Sequence, residues 1–160
     1  KSGDEVAEPE LLNRIFGIEE SADIYYGDTI IVDNNGKEVG RRRLTPPENL
    51  SWRDFRMGML VSHHSVIVAR RIAEHYDLQY RFSADFDWVL KALRKSEKIV
   101  NGQAVFSRFL DGGLTKSNIV PGLKERFSIM VKNYGLLATL LNHIPIGVKF
   151  LFFLIRHKRF

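Results

Sequence analysis

"ADIYYGDTIIVDNNGKEV", residues 22–39, is the stretch whose reading decides the fold. β-Branched and aromatic residues run from Ile24 to Val32, and Asn34-Asn35-Gly36 supplies the residue types that a tight turn demands. A second strand-like run follows from Lys37 to Leu44. Strand, Asn-Gly turn and strand predict a β-hairpin with Ile24, Tyr26 or their alternating neighbours facing a core. Its outgoing strand carries Arg41, Arg42 and Arg43, and Pro46-Pro47 ends it.

On the N-terminal side, "EPELLNRIFG" (8–17) has Leu11, Leu12, Ile15 and Phe16 at helical spacing, so a short helix is expected. On the C-terminal side, "SWRDFRMGML" (51–60) reads as a short helix or turn, and "SHHSVIVARR" (62–71) as a buried strand entered through two histidines. "RIAEHYDL" (71–78) reads as another short helix, and residues 84–95 as an amphipathic one. "EKIVNGQAVFSRFLD" (97–111) offers two short strand-like runs around Asn101-Gly102, followed by a flexible "GGLTKS" loop (112–117). Beyond Pro121 the pattern is helical, with an interruption expected at "NHIP" (142–145). Mixed strands and helices followed by helices place the chain in the α/β class. The expected division is 1–120 for the α/β part and 121–160 for a helical tail.

A chain of 160 residues suits one domain with a real core. With no cysteine, a disulfide framework, thiolate zinc sites and cysteine nucleophiles are excluded together. That composition fits a reducing, cytoplasmic setting. The net charge of +5 hides an asymmetry: residues 1–40 hold ten acids and three bases, whereas the other 120 hold nine acids and twenty-one bases. A basic C-terminal portion points to a polyanionic partner, namely nucleic acid, an anionic membrane surface or a phosphorylated ligand. Nucleic acid is disfavoured, because no binding motif is present and the aromatics follow core periodicity rather than forming a stacking surface.

Within "SADFDWVLKAL" (83–93), Phe86, Val89, Leu90 and Leu93 form one buried stripe, while Asp87, Lys91 and Arg94 lie opposite. Asp87 and Lys91 make a favourable i, i+4 pair worth about 0.2–0.5 kcal/mol, which is explanation enough for Asp87. Asp85 sits in the first turn after Ser83, the expected N-cap. It either complements the helix dipole, worth roughly 0.3–1 kcal/mol, or performs chemistry.

Several separated motifs bear on that choice. His63, then Ala84-Asp85-Phe86-Asp87, then Arg108 and Gly112-Gly113 ending in Ser117, resemble the C-terminal half of family 2 glycosyltransferases. There a "HQ-x-x-F" strand is followed by an "(E/A)DYD-x-x-L" helix and a "GG-x-S" loop. "ADIYYGD" is similar to the family's "AD-x-x-YGD" strand, and "KSGDE" resembles the end of "FLNSGD", a version of the metal-binding Asp-x-Asp motif.

The resemblance implies the C-terminal part of a GT-A fold and transfer of a sugar from a nucleotide-sugar donor to a glycan or lipid-linked acceptor. Asp85 aligns with the family's catalytic aspartate, the general base, and Asp4 with the last acid of the motif that holds Mn²⁺ or Mg²⁺. His63 would touch the metal or the leaving group, or else serve as a hydrogen-bonded structural residue, and His64 takes the family's glutamine position. Arg108, Lys116 and Ser117 would meet the diphosphate, the alternative being a polar turn. The nucleotide-binding β-α-β half would precede Lys1, so the chain alone is expected to lack activity and to self-associate as a homo-oligomer or aggregate.

In the tail, His143, Pro145 and Lys149 interrupt the apolar run, so a bilayer-crossing helix is not expected. From Lys124 onward there are seven Lys and Arg residues and one acid, with bases following "FLFFLI". That pattern fits an interfacial helix on anionic lipid at the inner face of the cell membrane, or packing against the enzyme body or another subunit.

Overall fold

A computed structural model describes residues 4–42, 44–110 and 119–157. The order of elements is β1 (Glu5–Val6), α1 (Leu11–Ile18), β2 (Ile24–Val32), β3 (Glu38–Arg41), β4 (Val66–Val68), α2 (Ala84–Lys95), β5 (Ile99–Leu110), α3 (Ile119–Tyr134) and α4 (Leu136–His157). Two 3-10 turns, Trp52–Met57 and His63–Ser65, lie between β3 and β4. The class is mixed α/β: a five-stranded sheet flanked by helices.

The hairpin forms where the turn residues require it. Asp33 N–H donates to Lys37 O, Asp33 Oδ1 accepts the Asn35 and Lys37 N–H groups, and Gly36 takes φ +74. β3 and β4 pair antiparallel with the two ends of β2, while β2 and β5 run parallel at the centre. β1 closes the far edge against β5. A β2–β5 pair covered on both faces explains why β2 is apolar almost throughout rather than alternating. Ile24 and Tyr26 face a large core shared with Phe55, Phe86, Leu90, Ile129 and Met130, and Tyr25 faces a smaller one under α1 with Leu11, Ile15 and Phe106. Residues on both sides of the expected boundary at 120 therefore build one core.

Three local expectations fail, each for a physical reason. Residues 71–78 form turns rather than a helix. Leu78 is 93% exposed, and Asp77 turns its carboxylate back onto the Gln79 N–H, so too little apolar surface is buried to offset helix nucleation. Residues 99–110 form one strand, not two. The Asn101-Gly102 signal marks a bulge in which Gln103 adopts φ +47 and its N–H bonds Asn101 Oδ1, while the register against β2 shifts. Phe106 lies over this bulge, and a Cβ on Gly27 would fall 2.4 Å from Ala104 O and 2.3 Å from the Phe106 ring. Only glycine fits at Gly27. Finally, the tail helices break at Gly135 (φ +83), and α4 runs on through Pro145.

Asp23 ties the start of β2 to its neighbours. Glu97 and Lys98 N–H groups donate to its Oδ2 at 2.8 and 3.0 Å, and Arg71 lies 2.6 Å from Oδ1. The two N–H groups, with help from Arg71 and against the effect of burial, hold this carboxyl below its ordinary value. A depressed folded-state pKa stabilises the fold above the unfolded value, near about 3.9, and the gain is lost as pH falls through the folded value. In urea titrations, wild type should therefore exceed Asp23→Asn by about 1.5–3 kcal/mol at neutral pH. The gap should close below about pH 4. A gap independent of pH would contradict this role.

Candidate active site

The turn at residues 63–65 is fixed to the sheet by three buried hydroxyls. Ser65 Oγ lies 2.7 Å from Thr29 Oγ1 and 2.6 Å from Ser107 Oγ, and it also donates to Asp28 O at 2.9 Å. Thr29 and Ser107 are register partners on β2 and β5. The pair of histidines is thus set over the central strands by a hydrogen-bonded anchor rather than by a loop alone.

His63 Nδ1 lies 3.0 Å from Asp85 Oδ2, and both side chains remain about 30% accessible, at 31% and 28%. Asp85 Oδ1 accepts the Phe86 N–H at 2.7 Å. The two rings of His63 and His64 meet with centroids 3.7 Å apart, and His64 Nε2 lies 3.1 Å from Asp4 Oδ2. The result is a continuous line of groups: Asp4, His64, His63, Asp85. Ser62 Oγ holds the other nitrogen of His64 at 3.2 Å, and Leu110 N–H reaches Asp4 Oδ1 at 3.2 Å.

Burial pushes the Asp85 carboxyl up, but the hydrogen bond and charge of His63, the Phe86 N–H and the charge of Arg126 outweigh it, so the carboxyl sits below its ordinary value. Asp85 is an ionised carboxylate at neutral pH. Its environment is cationic: Arg126 stacks over Phe86 with its guanidinium carbon 5.0 Å from the ring centre, and Arg42 is held by Met59 O and Leu60 O at 3.0 and 3.4 Å. Both guanidiniums act on Asp85 through their charge.

The start of α2 is held from outside. Glu125 on α3 accepts the N–H groups of Arg81, Phe82 and Ser83 at 2.8–3.0 Å, while Ser83 Oγ donates to Gly122 O. Ser83 is the N-cap residue, as expected, but its side chain makes no capping bond. The carboxylate that receives these N–H groups comes from a helix some forty residues further on.

The other expected residues fall elsewhere. Arg108 neighbours Ser107 on β5 and so points to the opposite face. There its guanidinium lies 4.0 Å from Glu5 and donates to Gly36 O in the hairpin turn, away from Asp85. Lys116 and Ser117, with the double-glycine loop, lie outside the described residues. Asp87, expected on a solvated face, is buried, with Lys91 Nζ 2.6 Å from Oδ2, because the segment around Glu74 and Asp77 lies along that side of the helix. Sequence reasoning left Arg42 out of the site and missed Arg126. For Arg126 the available signal was a lone arginine at a position where α3 turns apolar residues inward.

A cavity of about 310 Å³ is lined by Asp28, Arg41, Pro46, Asn101, Gln103, Ala104 and Val105. It contains none of the Asp85 cluster, and its ionic groups already face each other, with Arg41 and Asp28 3.7 Å apart. No protein-family model matches the sequence, and no curated protein does either.

Glu125→Gln keeps the shape of the side chain but removes the charge that receives three N–H groups. A loss of about 1–3 kcal/mol in unfolding free energy is expected. Amide exchange should accelerate first at Arg81, Phe82 and Ser83. Unchanged exchange at those three amides would remove Glu125 from the support of the site.

Proposed function

We propose that the protein takes part in sugar transfer from a nucleotide-sugar donor to a glycan or lipid-linked acceptor, with Asp85 as the general base in a GT-A-like domain. The observation that carries the reading is the 3.0 Å contact between His63 Nδ1 and Asp85 Oδ2 at a half-open helix start flanked by two arginines. In such a reaction an acceptor hydroxyl attacks the anomeric carbon and the nucleoside diphosphate departs. Asp85 receives the hydroxyl proton. His63 orients the carboxylate, and the Phe86 N–H fixes its other oxygen, leaving lone pairs of both oxygens for the incoming hydroxyl. His63 is therefore a positioning residue here, and the cationic surroundings favour a diphosphate leaving group.

Asp4 and His64 fit two positions of a Mn²⁺ or Mg²⁺ site. Their facing atoms are 3.1 Å apart, and Asp4 Oδ2 is buried without a well-aligned hydrogen bond. Adjacent ligands of an octahedral cation at 2.0–2.1 Å stand about 3 Å apart. Among the described residues no group of three His, Asp or Glu side chains forms, so diphosphate oxygens and water would complete the shell. Such a cation would neutralise charge on the departing diphosphate.

A second reading is supported by α4, where Leu137, Leu140, Leu141, Ile144 and Val148 are exposed along one side. That stripe suits self-association or an anionic membrane surface at the inner face of the cell membrane. Among the described residues no helix is long and apolar enough to cross a membrane.

Nucleoside diphosphate release from a panel of nucleotide-sugars, measured on the native protein with acceptor extracts, tests the first reading. Asp85→Asn should lower turnover by about 10²-fold or more while donor binding persists. Near-normal turnover would move the base elsewhere, with Asp87 the next carboxylate to test.

A further inference from the structure

Arg42 and Arg126 are half-buried cations beside the same carboxylate, yet neither has an Asp or Glu oxygen within 4.0 Å among the described residues. The arrangement is built on both sides. Arg42 leaves the hairpin and is tethered to the carbonyls of Met59 and Leu60, just ahead of the His63 turn. Arg126 sits over the ring of Phe86, the residue that follows Asp85, and its Nε is buried with no hydrogen-bond acceptor among the described residues. Burial, and after it their mutual repulsion in the case of Arg42, lowers the pKa of both groups, and Asp85 only partly offsets this.

Burying a guanidinium without a partner is costly, and burying two within each other's field is more so. Two arginines against one carboxylate leave an excess of one positive charge before His63 is counted. Guanidinium forks match the oxygens of phosphate groups in geometry as well as charge. A monoanion would suit one such fork, whereas two forks acting on a single carboxylate suit an oxyanion of higher charge.

We propose that Arg42 and Arg126 form an oxyanion receptor next to Asp85 that takes a phosphate or diphosphate group. The receptor stands on the charge geometry alone, and only its assignment to a substrate rests on the transferase reading. That group has two sources with the same chemistry: the diphosphate of a donor, or the phosphate of a lipid-linked acceptor. Either would bring its charge beside the base. The α3 helix that provides Arg126 leads into α4 with its exposed apolar side, which gives the second source a route to the same place.

The test is pyrophosphate binding to the native protein in EDTA, so that no divalent cation bridges the anion. Calorimetry and thermal unfolding should show saturable binding and a rise in Tm, with sulfate at equal ionic strength giving much less. Arg42→Met and Arg126→Met should each weaken pyrophosphate binding at least tenfold, and without anion Arg126→Met should unfold no earlier than wild type, since it removes a buried Nε that has no acceptor among the described residues. Should a methionine variant fail to fold, Arg126→Lys should still show the weakened binding. Asp85→Asn should bind pyrophosphate more tightly, because it removes a like charge, even as it loses any transfer activity. That opposite response separates failure of the receptor from failure of the transferase reading. Competition by a nucleoside diphosphate against a short isoprenyl diphosphate then tells which source is preferred. Equal Tm shifts from sulfate and pyrophosphate, or binding that survives both methionine substitutions, would overturn the proposal.

Discussion

The parallel pairing of β2 with β5 is the constraint from which the rest follows. A parallel pair has to be covered on both faces, because its connection brings a helix back across the sheet. Here α2 and α3 cover one face and α1 the other. The pairing also brings Thr29 and Ser107 side by side, and the hydroxyl of Ser65 closes on both of them. Each of these hydroxyls finds a partner inside the core, so none is left unsatisfied. The anchored Ser65 fixes the two histidines that precede it, and the connection from β2 to β5 delivers the start of α2. Where those two meet, His63 touches Asp85.

The helices beyond residue 119 are part of that assembly and not merely appended to it. α3 supplies Ile129 and Met130 to the core, Glu125 to the first turn of α2, and Arg126 to the surroundings of Asp85. Tyr134 adds a further contact, stacked on Trp52 and hydrogen-bonded to its carbonyl. One helix therefore couples stability to site geometry. A change that loosens α3 reaches Asp85 by three routes: packing, helix capping and charge.

Much of this was legible in the sequence. The hairpin was written in Asn34-Asn35-Gly36, because the turn needs a residue at positive φ and an aspartate ahead of it to receive the loop N–H groups. The extent of α2 followed from the spacing of Phe86, Val89, Leu90 and Leu93. Asp85 stood out by its place in the first turn, and the family resemblance gave both it and His63 a part in one site. What the sequence hid were long-range partners. Nothing local to Asn101-Gly102 says that a parallel neighbour continues past it and turns a loop signal into a bulge. Glu125 reads as an ordinary helix acid, since its three N–H donors lie about forty residues away. Arg42 and Arg126 come to act on the same carboxylate only after folding, and the face of Asp87 is closed by a segment whose own pattern suggested a helix. Composition and periodicity report burial well but say little about which distant groups meet.

His63 and Asp85 form one hydrogen-bonded unit, with the ring proton on Nδ1 directed at the carboxylate. Nitrogen-15 NMR of the imidazoles in the native protein measures this directly. The account predicts a protonated Nδ1 on His63 across neutral pH, and a clear shift of that nitrogen in Asp85→Asn with little change at His143, which bonds Thr139 O on α4. A His63 ring whose Nδ1 signal is the same in wild type and Asp85→Asn would contradict it.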